Sequence, residues 1–417
     1  MHRKNHPYRQ AISDELHARP IELVPDVCRV RRLVFMTSGI DALSQLLQDF
    51  RTALPALGGN AATGETRQYS FQSPHRIASW EFHTEFVTVT WSAALTDAEA
   101  WPDDIGLDLL ADAELVGGVR IDVIGDSNVP KNLLPGFQLA SLCLVDVEDG
   151  RAQVGTDFVP DSDGFTRIEF AAGGLSRLRR SILVRRLLEV ETYRAMALLG
   201  LPLAREVGPH LHRIELELTA AVETLSAATT TESVQSALFA LHGLSMRGGQ
   251  YSERTSYRFA ASQAYGAVLR HRLAGLHEQT TAEGSSLSNY VSNRVEPALA
   301  TCAALEKRLA VLSDKIERAI GLLNVRIGLD MQIQNKSVLQ TIAQTARSQF
   351  RLQRTVEGLS VIAISYYALG ILSYVLAGPL EGLHMEKALA LSIAAPVVIL
   401  CVWLMARAIR RAHASDD

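Results

Sequence analysis

The sequence predicts three structural parts: an α+β cytoplasmic domain, a helical bundle with a long stalk helix, and a C-terminal two-helix transmembrane hairpin. Three observations lead to this fold class. Strand-like patterns fill the first part of the chain, helical periodicity replaces them near residue 175, and two uncharged apolar runs lie close to the C-terminus. We therefore assign the α+β domain to residues 1–175, the bundle and stalk to 176–355, the hairpin to 356–408, and a cytoplasmic tail to 409–417.

The N-terminal domain shows period-two patterns with glycine- and proline-containing breaks, which are typical of half-buried strands. One amphipathic helix is expected at residues 41–54, where Asp41 is a suitable N-cap. These elements indicate an α+β or α/β-type domain. Strands are predicted at residues 27–36, 67–72, 76–83, 85–91, 121–124, 137–145 and 166–170.

The helical part begins with a helix at residues 177–199, which Gly200 ends shortly before Pro202. Two later apolar seams alternate steps of three and four residues, which is the spacing of a coiled coil. An antiparallel bundle within one chain has the same spacing and is the simpler interpretation. No proline occurs between residue 298 and the first apolar run, so a stalk helix is expected to continue into that run. The seams are Leu211, Ile214, Leu218, Ala221 and Leu225, followed by Cys302, Leu305, Leu309, Leu312, Ile316, Ala319 and Leu323.

Two C-terminal runs are long enough to cross a membrane. Residues 359–380 form a run of 22 residues and residues 388–406 a run of 19, and neither contains a charged side chain. At about 1.5 Å per residue, each run spans a hydrocarbon core of about 30 Å. Residues 381–387 are too few for more than a tight turn, so the two helices are expected to cross in opposite directions.

The flanking charges predict the orientation of this hairpin. Six arginines lie beyond its two outer ends, whereas Lys387 is the one cation between the spans, which predicts cytoplasmic termini and an external loop. The N-terminus is polar and lacks an apolar signal-peptide core. We therefore expect a bacterial inner-membrane protein whose head faces the cytoplasm and whose spans contact the lipid bilayer. The arginines are Arg347, Arg351, Arg354, Arg407, Arg410 and Arg411.

Several function classes receive no support from the sequence. A net charge of -4 does not favour nucleic-acid binding. The four cysteines are scattered without a CxxC pair, which favours buried reduced thiols over a disulfide framework or a zinc site. The chain contains no Walker A loop, HExxH or GxSxG motif. We therefore predict a protein that is not an enzyme and uses no cofactor.

The first apolar run carries a stripe of small and hydroxyl-bearing residues on one face. Such a stripe lines the lumen in a pore, whereas in a packed hairpin it lets helices approach closely. Helix packing is favoured because no fixed charge lies within the run. Just before it, Arg354 and Glu357 are expected to form an interfacial salt bridge or a charged ring at the cytoplasmic mouth. The stripe consists of Ser360, Ala363, Tyr367, Gly370, Tyr374 and Gly378.

Other candidate sites have fewer suitable residues. His83 and Glu85 alternate on one predicted strand, so they could bind a metal ion together with His75, although no third ligand has characteristic spacing. Glu191 and Arg194 are three residues apart on a predicted helix and are expected to form an ion pair.

Five long segments carry a resemblance to a bacterial family. They are HPYRQAISDELHARP (6–20), WEFHTEF (80–86), TDFVPDSDGFTRI (156–168), RRLLEVETYRAMALLGLPLAR (185–205) and RLQRTVEGLSVIAISYY (351–367). They resemble a domain-of-unknown-function family of uncharacterised membrane-anchored proteins. The resemblance extends from end to end and implies an inner-membrane protein, without an activity, substrate or catalytic residue.

The predicted layout is also similar to that of CorA-type magnesium transporters, in which five subunits use their first span to line a pore. That family carries a Gly-Met-Asn motif at the outer end of the span, whereas here Tyr374 is followed by Val-Leu-Ala-Gly-Pro. This departure argues against magnesium selectivity.

Two functions from different classes therefore remain. The first is a membrane-anchored scaffold or ligand sensor whose head binds a cytoplasmic ligand. The alternative is a CorA-like oligomeric cation channel or transporter with the first span lining the pore. A two-span pore needs several subunits, and we expect a homo-oligomer.

Overall fold

The computed structural model describes residues 6, 9, 21–60, 66–227, 230–375 and 387–413. The chain forms two compact units, Met1–Ile320 and Gly321–Asp417. The first unit contains a mixed β-sheet and a set of long helices. An α+β sheet domain followed by long helices is therefore the observed fold, as the sequence predicts.

The sheet of the first unit has nine strands within the described part of the chain. Their order is β2-β3-β4-β1-β5-β8-β7-β6-β9. Every neighbouring pair is antiparallel except β5 and β8, which are parallel. The strands are β1 Cys28–Met36, β2 Gln68–Gln72, β3 Ile77–Phe82, β4 Phe86–Ala93, β5 Glu114–Ile124, β6 Cys143–Val147, β7 Ala152–Pro160, β8 Phe165–Ala171 and β9 Gln279–Thr280.

The sequence predicts most of these strands but misjudges several bounds. The short strand expected at 121–124 is only the end of β5. Of the strand expected at 137–145, only the last residues belong to β6, because Leu139–Ser141 forms a 3-10 helix. Strand β7 is missed because its first six residues are all buried, which removes the alternation that marks a half-buried strand.

Six helices complete the described part of the chain. Helix α2 begins after Ser176, whose side chain accepts a hydrogen bond from the Arg179 N–H at 3.4 Å. It ends at Leu198, and Gly200, expected to end it, is instead the first residue of α3. The helices are α1 Ile40–Ala53, α2 Arg177–Leu198, α3 Gly200–Ala227, α4 Thr231–Ala274, α5 Leu287–Val375 and α6 Lys387–His413.

Gly200 is required by close helix packing. Its N–H donates a hydrogen bond to Ser262 Oγ at 3.1 Å. A Cβ atom at this position would lie 2.8 Å from Ser262 Oγ and 3.0 Å from Cys302 Sγ. Because these two atoms belong to α4 and α5, Gly200 allows α3 to start where three helices meet.

Both faces of the sheet are covered. On one face, an apolar cluster joins sheet residues such as Val30 and Ile121 to α2, α4 and the start of α5. On the other face, Phe50 of α1 stacks on Trp80 with ring centroids 4.4 Å apart, and both side chains are fully buried. Covering on both faces explains why several strands are buried along most of their length.

Most of the two apolar seams is buried within the first unit, whereas Ala221 is half-buried and the side chain of Leu225 lies outside the described part of the chain. Leu211, Ile214 and Leu218 of α3 are buried, as is the α5 seam from Cys302 to Ala319. The α5 seam contacts α3 and α4, because Leu305 lies 3.7 Å from the Cβ position of Gly208, and Leu312 lies 3.8 Å from that of Gly248. The spacing therefore reflects helix packing within one chain.

The second unit contains the end of α5 and the helix α6. Each helix contains an 18-residue window that is long and apolar enough to cross a membrane, with mean hydropathy 1.7 in α5 and 2.0 in α6. Only 6% of the first window and 0% of the second is buried in the protein. The predicted loop residues 381–386 and Gly378 lie outside the described residues.

Candidate functional site

The strongest candidate site lies between the sheet and α2, where the strands present polar side chains at buried positions. On β1, β3 and β4, the residues that face α2 include Arg32, Ser79, Glu81, Thr88 and Thr90, and all five are buried. A face that packs against a helix is normally apolar. This buried polar patch therefore needs an explanation beyond packing.

Glu81 is the charged centre of this patch. Its carboxylate oxygens lie 3.8 Å from Arg32 Nη2 and 3.9 Å from Arg185 Nη2 of helix α2. These distances exceed those of charge-assisted hydrogen bonds, which are about 2.7–2.9 Å. Arg32 Nε donates to Thr90 Oγ1 at 2.8 Å, which fixes its guanidinium beside Glu81.

The charge network continues along α2 to α4. Arg185 Nε donates to Glu189 Oε1 at 3.1 Å, and Arg272 Nε lies 2.6 Å from Glu189 Oε2. Arg185 and Glu189 are four residues apart, so they occupy the same face of the helix. The network therefore links the sheet, α2 and α4 through alternating charges.

A cavity of about 200 Å³ opens beside this network. One water molecule takes up about 30 Å³ of liquid, so the space is large enough for a small molecule. It is smaller than the roughly 300–1,000 Å³ of sites that hold drug-sized ligands. Its polar lining includes Ser70, Ser79, Ser181, Gln68, Arg32, Glu81 and Arg185.

Gln68 adds an acceptor to the cavity lining. Its Oε1 atom is buried and accepts no hydrogen bond from any described residue. A buried polar atom without a partner is destabilising, and ligands or ordered water commonly supply the missing bond. The lining thus offers the guanidinium groups of Arg32 and Arg185 to an anionic group, and the acceptor oxygens of Glu81 and Gln68 to hydrogen-bond donors.

The sequence does not single out these cavity residues. Arg32 is one of three arginines in β1, and Glu81 lies between Trp80 and Phe82 in β3. Charges inside strands of this kind are the signal that could have indicated the site. Arg185 gives no such signal because α2 contains several other arginines.

The predicted pairing of His83 and Glu85 on one strand is wrong. Strand β3 ends at Phe82 and β4 begins at Phe86, so both residues lie in the connecting turn. The His83 ring stacks on Phe86 with centroids 4.1 Å apart. Within the described residues, no group of three or more candidate ligands is placed to hold a metal ion.

Glu85 instead joins the β3–β4 turn to α4. Its carboxylate accepts hydrogen bonds from Arg258 Nη1 at 3.0 Å and Nη2 at 2.7 Å, and from the Tyr265 hydroxyl at 2.8 Å. Burial, followed by the hydrogen bond to Glu85, raises the pKa of Tyr265. This arrangement satisfies Glu85 with protein groups.

The predicted pair of Glu191 and Arg194 is confirmed. Arg194 Nε donates to Glu191 Oε2 at 2.7 Å, and Thr166 of β8 donates its hydroxyl to Glu191 Oε1 at 2.8 Å. Burial acts to lower the pKa of Arg194, but the nearby Glu191 carboxylate outweighs it and raises that pKa. The pair connects α2 to the sheet.

Four members of the stripe on the first apolar run are exposed, and Gly370 is half-buried. Ser360 and Ala363 are exposed, Tyr367 is 70% exposed and Tyr374 is 83% exposed. Ser365 lies on a different face and is buried, and its Oγ has no hydrogen-bond partner among the described residues. The stripe is therefore not the face that α5 buries within this chain.

Within the second unit, α5 and α6 line a common groove. Arg354 and Glu357 lie on its α5 side with Val361, and Trp403 lies on its α6 side. Glu357 accepts a hydrogen bond from Gln353 Nε2 at 3.4 Å. Its expected pairing with Arg354 stays a prediction.

Comparison with known proteins identifies one family. A family model described as a protein of unknown function (DUF3422) matches residues 4–413. No curated protein matches the chain. Because the family model covers nearly the whole sequence, the chain belongs to the DUF3422 family.

Proposed function

We propose that this chain is a membrane-anchored ligand sensor or scaffold, whose head binds a small polar molecule in the cavity between the sheet and α2. Binding, not catalysis, is the proposed activity. The observation that carries it is the cavity of about 200 Å³ beside Arg32, Glu81 and Arg185. A cavity into which a few polar side chains converge is the usual form of a small-molecule site.

The proposed ligand combines an acidic group with hydrogen-bond donors, as in a small amino acid or hydroxy acid. An acidic group between Arg32 and Arg185 would form charge-assisted hydrogen bonds that are absent from their long contacts with Glu81. A donor group would supply the hydrogen bond that Gln68 Oε1 lacks among the described residues. The size of the cavity limits the ligand to a few non-hydrogen atoms.

Native mass spectrometry of the detergent-purified full chain tests this proposal. We expect a small molecule that remains bound to the wild-type protein and is released on unfolding. Ser79 lines the cavity and is 5% exposed, so Ser79→Leu places additional side-chain volume there. The variant should lose the bound molecule while its unfolding temperature changes little.

A control variant distinguishes filling of the cavity from general disturbance. Ser288 lies at the start of α5, and the cavity lining does not include it among the described residues. Ser288→Leu should retain the bound molecule. The proposed ligand site is contradicted if wild type and Ser79→Leu each show only the mass of the polypeptide, with no bound species in either.

Membrane anchoring by the two apolar helices is the second part of the proposal. Ile362, Ile371, Ile393 and Met405 expose more than half of their side chains. Large contiguous apolar surfaces on soluble proteins are rare and mark contact with lipid or with partners. We propose the bacterial inner membrane, with both termini cytoplasmic, because arginines flank the outer ends of the hairpin.

An oligomeric cation channel is the alternative function. It is favoured by the exposure of Tyr367 and Tyr374 on the stripe, because a pore-lining face must remain free of contacts within one chain. The mass of the detergent-purified protein tests it first. A monomer or dimer that passes no cation in reconstituted vesicles would remove this alternative, whereas a higher homo-oligomer with cation flux would support it.

A further inference from the structure

A row of hydrogen-bond donors crosses four adjacent strands on the sheet face opposite the cavity. Trp91 of β4 pairs with Arg31 of β1, Arg31 pairs with Arg120 of β5, and Arg120 pairs with Arg167 of β8. We call these four residues the donor row. Like charges at directly opposed positions destabilise a sheet, so three arginines in register require a compensating negative charge.

Four N–H groups of this row lack an acceptor. Arg31 Nε, Arg31 Nη1, Trp91 Nε1 and Arg120 Nε are buried and have no hydrogen-bond partner in the described parts of the chain. Arg120 Nε lies 3.6 Å from Asp122 Oδ2, which is too long for a hydrogen bond. The described residues contain eight buried side-chain polar atoms without a hydrogen-bond partner; half of them lie in this one row, and all four are donors.

Arg31 is the centre of the row. It is 2% exposed, and Trp91 beside it is 1% exposed. The guanidinium of Arg31 donates one hydrogen bond, from Nη2 to the Asp97 carbonyl oxygen at 3.1 Å. Burial, followed by the neighbouring Arg29, lowers the pKa of Arg31. This environment thus disfavours the charged form of Arg31, whereas a bound anion would favour the charged form.

The carboxylates around the row do not reach Arg31. Asp122 binds Arg29 with two hydrogen bonds of 2.6 and 2.9 Å, and Asp161 accepts from Arg120 at 2.9 Å. Glu169 accepts from Arg167 Nε at 2.8 Å, and burial and the nearby Asp122 raise its pKa. Each of these carboxylates is hydrogen-bonded to another arginine, and none of them is hydrogen-bonded to Arg31.

We propose that the donor row binds a small oxyanion, with phosphate or sulfate as the chemical class. A tetrahedral oxyanion presents several acceptor oxygens, which matches four donors spread over three neighbouring strands. The chain segment that contains Asp97 lies against the centre of the row, because the Asp97 carbonyl accepts from Arg31 and from the neighbouring Arg29. The anion lies beneath this segment, which moves to admit it, since all four donors are shielded from solvent.

Thermal unfolding of the full chain in mild detergent tests this site, with inorganic phosphate as the probe. At constant ionic strength set with sodium chloride, phosphate should raise the unfolding temperature and change tryptophan fluorescence, because a ligand that binds only the folded state stabilises it. Sulfate and glycerol 3-phosphate are tested in the same way. A rise with inorganic anions alone supports a free oxyanion, and an equal rise with glycerol 3-phosphate supports a phosphate ester as its source.

Trp91→Phe is the decisive variant because it keeps an aromatic ring and removes one donor. Loss of a hydrogen bond to a charged group should weaken phosphate binding about tenfold or more. Trp80→Phe is the matched control, because Trp80 is equally buried on the same sheet face but donates to the Ile105 carbonyl at 3.0 Å. Trp80→Phe should lower the unfolding temperature without phosphate and leave phosphate affinity unchanged.

Arg120→Lys provides a second variant that keeps the positive charge near Asp161 and removes Nε. It should weaken phosphate binding, as Trp91→Phe does. The proposal is overturned if phosphate has no effect on wild type beyond that of chloride. It is equally overturned if Trp91→Phe and Arg120→Lys bind phosphate as tightly as wild type does.

Discussion

Replacing Glu85 with glutamine should destabilise the head by about 2–3 kcal/mol, somewhat less than the full cost of breaking a buried ion pair. The side chains of Glu85 and Arg258 are 10% and 17% exposed, so solvent screens the pair only weakly. Breaking such a pair leaves Arg258 buried without its counter-ion, at a cost of about 3–5 kcal/mol. Glutamine retains one acceptor for Arg258 or Tyr265, which reduces the expected loss.

Urea denaturation followed by tryptophan fluorescence measures this loss. A truncated chain ending at Gln340 suits the assay, because the compact first unit ends at Ile320 and all nine described strands lie within it. Glu217→Gln is the control. Glu217 pairs with Arg247, and both side chains are 44% exposed, so its loss should be below about 1 kcal/mol.

The reasoning is refuted if the two variants lose equal stability. Equal losses would mean that the turn between β3 and β4 does not rely on Glu85 for its attachment to α4.

Three further predictions follow from the described residues. The hydrogen bond from Arg179 lowers the pKa of Glu148 below its usual 4.5. The Glu148 carboxylate therefore stabilises the folded protein above pH 4.5, and this stabilisation is lost as the pH falls through the lower pKa of the folded state. Glu148→Gln should reduce the fall of the urea midpoint at acidic pH, and an unchanged fall would contradict this. Burial raises the pKa of Cys28 and of Cys143 to about 12, so neither thiol should react with iodoacetamide at pH 8 until the protein unfolds, as peptide mass spectrometry can show. If the stripe packs helices, Gly370→Leu should dissociate a homo-oligomer. If the stripe lines a pore, the variant should alter cation flux while the oligomer stays intact. Sedimentation and flux measurements therefore distinguish the two functions of the stripe.

Local patterns in the sequence were sufficient to predict much of the fold. Strands β1 to β4 alternate or carry β-branched and aromatic residues, and α1 has one apolar face, so their types and approximate bounds follow from periodicity. The seam from Cys302 to Ala319 likewise predicts a buried helix face. The position of β9 at the sheet edge was beyond reach, because two residues within a helical region carry no periodic signal.

The candidate cavity could not be predicted from local patterns either. Arg32 and Glu81 are brought together by the placement of β4 between β1 and β3. This strand order depends on long-range pairing and has no local signature. Arg185 joins them only because α2 crosses that part of the sheet. The ion pair of Glu191 with Arg194 was predictable because both residues lie on one helix at a spacing of three.

Membrane anchoring by residues 356–408 is tested most directly by fractionation of cells that express either the full chain or the chain truncated at Gln340. We expect the full chain to remain in the membrane pellet after extraction with alkaline carbonate, which removes peripheral proteins. The truncated chain should be soluble and resist proteolysis, because it retains the compact unit Met1–Ile320. Release of the full chain into the carbonate supernatant, or retention of the folded truncated chain in the pellet, would contradict anchoring by the hairpin.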